Sequence, residues 1–148
     1  MSLRTRTPSR EELSELVRQL CGEGSDETEA WMKLDAGEFE PFIQAEDVRL
    51  LESPAMFAPE ARFWMEQAMD ALTAESGRVV RHFLLYIGSY GYSLSLEMLS
   101  EIVTAAQTAL DMDAASFVVG YRPVEDLKAG EVTLLVLASV GPEPQPGI

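Results

Sequence analysis

Cysteine and histidine are each present once, as Cys21 and His82, in 148 residues. One cysteine cannot close a disulfide within the chain, and its isolation fits a reducing compartment. No Ser-His-Asp set and no metal pair can be assembled around His82 by spacing, so it reads as a structural histidine. Cys21, far from His82 in sequence, reads as a small buried apolar group. Positive charge is also scarce. Eleven Lys and Arg stand against 25 Asp and Glu, a net charge of −14. Nucleic-acid binding needs clustered cations, and so does adhesion to anionic membranes, so both partners are set aside. The longest apolar runs, near 83–87 and 134–138, are too short to span a bilayer. The N-terminal arginines are not followed by the apolar core of a signal peptide. The expectation is a cytoplasmic chain with no membrane partner.

A complete phosphate loop is missing as well. The stretch FLLYIGSYGYSLSLEML, residues 83–99, runs from an apolar strand pattern through two glycines into a helix pattern, the usual setting of a nucleotide cradle. Yet Gly88 and Gly91 are followed by Tyr92, Ser93 and Leu94 rather than by the Lys of a P-loop. The dinucleotide fingerprint needs three glycines at fixed offsets. The glycines therefore read as a turn between strand and helix, and no GTP or ATP site, cofactor or metal is expected. DAGEFEPF (35–42) lacks the ligand spacing of a calcium loop.

What is present describes one domain with a sufficient core. Residues 1–8 read as a flexible N-terminus. From 9 to 58 runs an acidic, mainly helical segment packed on the core. It begins with Ser9 and Glu12, a capping box, ahead of a stripe of Leu13, Leu16, Val17, Leu20 and Cys21. Gly22 and Gly24 close that helix. Residues 23–52 hold ten acids against Lys33 and Arg49, read as a solvated face. Short helices around 27–34 and 45–52 fit this region, pinned by Trp31, Phe39, Phe42 and Phe57. Residues 59–72 form a helix with Pro59 and Glu60 in its first turn and an apolar stripe of Ala61, Trp64, Met65, Ala68, Met69 and Leu72.

Residues 59–141 carry the clearest pattern. VVRHFLLYI (79–87) is a strand. SLEMLSEIVTAAQTAL (95–110) is an amphipathic helix capped by Ser95, with Leu94 and Leu99 as a hydrophobic staple. SFVVGY (116–121) and EVTLLVLASV (131–140) are strands. The last is apolar on both faces, so it belongs at the centre of a sheet. The strands on either side of the helix should be parallel, with a right-handed crossover. The last two are expected as antiparallel neighbours. The fold class is α+β, a two-layer sandwich of a mixed three- to four-stranded sheet with helices. The proline-rich end, 142–148, reads as a disordered tail.

Tyr86, Tyr90, Tyr92 and Tyr121 gather near the sheet ends, which allows an interaction patch or partial burial.

In its order of elements, 60–141 resembles the C-terminal domain of the bacterial tubulin homologue FtsZ. HFLLYIGSYG leads to Leu94-Ser95-Leu96, a helix, then Asp111-Met112-Asp113-Ala114. A strand ending at Gly120 follows, and after a loop comes GEVTLLVLASVG. ARFWMEQAM is similar to the helix before that unit. A fainter likeness joins FIQAEDVRLL (42–51) to the segment whose acids complete a neighbouring subunit's GTP site in that family, which would place Glu46 or Asp47 there. The family's GTPase half, with its GGGTGTG loop, has no counterpart here.

The resemblance implies a non-enzymatic interaction domain without GTP hydrolysis of its own. Its partner would be a second copy of itself or a tubulin-like cell-division protein. Contact would involve the Gly88–Tyr90–Gly91–Tyr92 turn, the sheet, or the acidic segment with Glu46 and Asp47. The alternative is a small-ligand binder or enzyme whose site is shared between subunits, drawing on Arg62, Arg78, Arg81 or Arg122.

Overall fold

The computed structural model describes residues 3–21, 34, 36–75, 77–91, 94–110 and 115–142. Helix α1, Arg10–Leu20, starts where Ser9 Oγ accepts the Glu12 N–H at 3.1 Å. The Glu12 carboxylate in turn accepts a hydrogen bond from Arg6 Nη1 at 2.7 Å, and the nearby Ser9 backbone N–H adds a little to the lowering of its pKa. A 3-10 turn, Ala36–Phe39, runs into α2, Glu40–Gln44, with Pro41 in its first turn. Strands β1 (Val48–Glu52) and β2 (Met56–Phe57) follow. Then come α3 (Ala58–Leu72), β3 (Arg78–Ser89), α4 (Leu96–Thr108), β4 (Ser116–Pro123) and β5 (Glu131–Pro142).

The sheet order is β1-β5-β3-β4, with β2 pairing with β5 beyond β1. β3 and β4 are parallel, joined by α4, as their pattern predicts. β4 and β5, however, are not neighbours: β3 lies between them and pairs antiparallel with β5. The reason is burial. β3 and β5 are twelve-residue strands apolar on both faces, so each needs a neighbour along both edges and layers above and below. The shorter β4 goes to the edge.

Residues 45–52, expected as a helix, turn into β1 instead. β5 needs a partner on the side away from β3, and Val48, Leu50 and Leu51 supply it in register with Ser139, Leu137 and Val136. The expected flexible N-terminus is also partly fixed. Arg6 makes an antiparallel bridge with Leu50, its N–H donating to Leu50 O at 3.1 Å and its carbonyl accepting from Leu50 at 2.8 Å. With β1 and β2 inside the sheet, the expected boundary at residue 58 does not separate a helical segment from an α+β unit. The helix near 27–34, with Trp31, and the tail 143–148 lie outside the described residues.

Side-chain alternation sorts the sheet into two cores. Phe83, Leu85 and Ile87 of β3 face α3 and α4, meeting Trp64, Met65, Met69, Leu99, Ile102 and Ala106. Leu84 and Tyr86 face the other way. They join Leu50 and Leu137 under Leu13, Leu16 and Leu20 of α1 and under Leu34, Phe39 and Phe42. The α+β sandwich expected for the C-terminal half is present, and the N-terminal helices form a cover on the sheet's second face. Phe57, expected to pin the segment, points outward.

Candidate interaction surface

The two glycines of the 83–99 stretch do different things. Gly88 is inside β3 rather than in the turn. A Cβ there would lie 2.6 Å from Val124 Cγ2 and 2.8 Å from Thr133 Oγ1. Its role is close approach, not a turn. Gly91, with φ +54°, is the true turn residue. Ser89 Oγ donates to Gly91 O at 2.9 Å and lies 2.7 Å from the Tyr121 hydroxyl, which also accepts the Leu94 N–H at 3.3 Å. Tyr121 therefore fastens both sides of the turn from within the core. Beyond it, Ser95 Oγ accepts the Met98 N–H at 3.1 Å and starts α4.

The four tyrosines separate accordingly. Tyr121 and Tyr86 are buried. The Arg122 guanidinium lies 5.7 Å from the Tyr86 ring centroid, and burial pushes the Tyr86 phenol up to about 12. Tyr90 is 49% exposed. Tyr92 lies outside the described residues.

Tyr90 shares its end of the sheet with other uncovered apolar groups. Its N–H donates to Glu131 O at 3.4 Å, and Glu131 is the register partner of Phe57. Phe57 is 61% exposed and Leu96 is 68% exposed. Phe57 lines a groove of about 360 Å³ together with Ala58, Pro59, Leu94, Ser95, Met98 and Val132, and Leu96 follows Ser95 in the chain. Three acids are next in the chain to residues of that lining, and one of them, Glu131, accepts the Lys128 N–H at 2.8 Å. Glu60 is in the first turn of α3, Glu97 in the first turn of α4, and Glu131 opens β5. None of the three has an ion pair among the described residues. Sequence reasoning found the Tyr90 turn but missed Phe57 and Leu96. Phe63, also exposed, did carry a signal, since it falls outside the apolar stripe of α3.

Glu46 and Asp47 are at the opposite end, where β3 begins. Asp47 accepts from Arg49 Nε at 2.6 Å and Nη2 at 2.9 Å, and from Arg78 Nη2. These hydrogen bonds, Arg49's foremost, hold its carboxyl below the usual aspartate range. Arg49 also reaches Glu75 at 3.6 Å. Glu46 is exposed on the rim of a groove of about 640 Å³ that also meets Arg81, His82 and Ser139. His82 Nδ1 is 2.8 Å from Ser139 Oγ, and its ring meets Phe42 edge to face.

Of the six residues singled out in the sequence, the five described are not brought together: Gly88, Tyr90 and Gly91 are at one end of β3, and Glu46 and Asp47 at the other. The four arginines do not converge either. Arg78 and Arg81 share the lower groove, Arg62 pairs with Glu66 on α3 at 3.3 Å, and Arg122 donates to Gln19 O from β4. Among the described residues no group of three or more His, Cys, Asp or Glu is placed to hold a metal, and no helix is long and apolar enough to cross a membrane.

No protein-family model and no curated protein matches the chain. Solved structures similar to it include an empty FtsZ dimer from M. jannaschii, 17% identical, with a TM-score of 0.49 over 74% of this chain and 32% of that one. Thiamine monophosphate kinase from Aquifex aeolicus is 12% identical, with a TM-score of 0.42 over 64% of this chain and 33% of the other. The chain spans about a third of the length of each. FtsZ, the family that 60–141 resembles, is thus among the structural matches, at low identity and a low TM-score.

Proposed function

We propose that this chain is a non-enzymatic protein-interaction domain that docks a segment of a partner protein at the Tyr90 end of its sheet. The supporting observation is the groove lined by Phe57, Ala58, Pro59, Leu94 and Met98, with Phe57 exposed on it and the exposed Leu96 and Tyr90 at the same end of the sheet. Exposed apolar side chains scattered singly are ordinary, whereas an apolar cluster beside a groove is the form of a docking site. Glu60, Glu97 and Glu131, each next in the chain to a residue of that lining, define the occupant: an apolar anchor flanked by Lys or Arg. Such flanks meet opposite charge on arrival and gain from the chain's net charge of −14. The resemblance seen in the sequence makes a tubulin-like protein the first natural partner to try.

The test uses two synthetic peptides with the same Leu/Phe anchor, one flanked by lysines and one by glutamates. Each is titrated into the full chain by calorimetry and by amide shift mapping. The lysine-flanked peptide binds, weakens as salt rises, and shifts the amides of Phe57, Tyr90 and Leu96. The Phe57→Ala/Leu96→Ala variant loses it while keeping its fold, because both side chains are on the surface. Equal binding of both peptides, no binding of either, or full binding by the variant would sink the proposal.

A further inference from the structure

The two edges of the sheet are finished differently. The β1 edge is closed by the Arg6 bridge to Leu50 and bears Arg49 and Glu52. Charge and partial covering are the usual ways of blunting an edge. β4 forms the other edge and pairs only with β3 among the described residues. In a parallel pair, alternate residues turn their N–H and C=O groups away from the neighbour. On β4 those groups point outward, with no strand beyond them among the described residues.

Its side chains carry little charge either. From Ser116 to Tyr121 the strand reads SFVVGY, six residues without a charge in a chain where 24% are charged. Phe117, Val118 and Val119 are three successive apolar residues, each only half-buried. Phe117 stacks on Phe83 with centroids 5.2 Å apart, so it is fixed in place rather than free to fold away.

We propose that β4 is a homodimer edge, pairing antiparallel with β4 of a second copy about a two-fold axis to make one continuous sheet. This goes beyond the docking end and does not depend on it. The second copy is the occupant because of charge. Two chains of −14 each repel over most of their surfaces, and the uncharged 116–121 edge is where they can meet without opposing charges. A two-fold axis near Val118 lays Phe117 beside the partner's Val119, apolar on apolar, on both sides of the axis. Because the β1 edge is blunted, assembly stops at two.

The experiment is sedimentation equilibrium of the full chain over a wide dilution series at low and raised salt, with amide hydrogen exchange at both ends of the series. The mass rises from one chain to two, and the dimer is tighter at raised salt, the opposite of the peptide binding described above. Outward-facing β4 amides gain protection in the dimer. Val118→Lys, whose long stem can lift its charge to solvent, stays at one chain mass with unchanged circular dichroism. Phe57→Ala/Leu96→Ala still dimerises, which separates this edge from the docking end. A single-chain mass throughout, growth past two chains, or a dimer whose β4 amides exchange as fast as in the monomer would each overturn the proposal.

Discussion

Adding one methyl group at Gly88 tests how tightly the end of β3 is packed. In Gly88→Ala the new Cβ lies 2.6 Å from Val124 Cγ2, where carbon atoms in good contact are about 3.5–4.0 Å apart. The overlap is therefore about 1 Å. Thr133 can turn its hydroxyl aside. Val124 cannot retreat so easily, because its N–H donates to Ser89 O at 2.8 Å, next to the substituted residue. An over-packed site of this kind costs about 1–3 kcal/mol. Gly91→Ala strains the chain by a different route. Nothing stands within 4 Å of its Cβ, but its φ is +54°, and a left-handed conformation costs an L-residue about 1–2 kcal/mol. The two are distinguished by a second substitution. Val124→Ala removes the obstructing methyl and should relieve Gly88→Ala by at least about 0.5 kcal/mol beyond additivity, with no coupling to Gly91→Ala. Urea unfolding of the single and double variants, at unchanged m, gives the values. A Gly88→Ala cost below about 0.5 kcal/mol, the level of surface changes, would refute the close-approach reading, as would strict additivity with Val124→Ala.

Three other outcomes follow from the core and the charge cluster. Ile102, 1% exposed on the face of α4 that meets α3 and the sheet, should lose about 2–5 kcal/mol on truncation to Ala, read from the same urea curves. Tyr121→Phe leaves Ser89 Oγ and the Leu94 N–H short of a buried partner. It should cost about 1–3 kcal/mol and speed exchange of the Leu94 amide, whereas an unchanged amide would mean that the turn is held by something else. Asp47 has a lowered carboxyl pKa in the folded chain. Its contribution is present above the unfolded aspartate value and is lost as pH falls through the folded one. Stability measured through the acid range should therefore decline less steeply in Asp47→Asn than in the wild type, and parallel acid limbs would remove Asp47 from the account.

The legible parts of the sequence were those where local period and tertiary demand agree. α3 and α4 carry full apolar stripes, with Pro59 in the first turn of α3 and a Ser95 cap on α4, and both form within two residues of their predicted limits. β3 and β5 are apolar enough to be recognised as buried strands. What escaped was decided at long range. Val48–Glu52 has too few residues for a period to identify it, and it becomes a strand because β5 needs a neighbour. The placement of β3 between β4 and β5 depends on which strands are buried on both faces, a property of the assembled sheet. At the candidate surface, the Tyr90 turn is visible as two glycines among aromatics. Phe57 reads as a core anchor, and only its place at the start of α3 turns it outward. Asp47 is an ordinary acid in the sequence, and its two arginine partners are gathered by the ends of β1 and β3.

The place of β5 in the sheet also bears on how the chain can fold while it is being made. β5 is the last described strand to leave the ribosome, yet it holds β1, β2 and β3 together. Until it emerges, β3 can pair with β4, but Val48–Glu52 has none of the sheet it will join. The apolar face of α1 likewise waits, because Leu137 is part of what it covers. Contacts this distant along the chain form slowly, and uncovered strand edges invite association with other chains in the interval. Folding is thus held back until synthesis has passed Pro142, and a nascent chain stalled in the loop before β5 would be a substrate for chaperones rather than a half-formed domain.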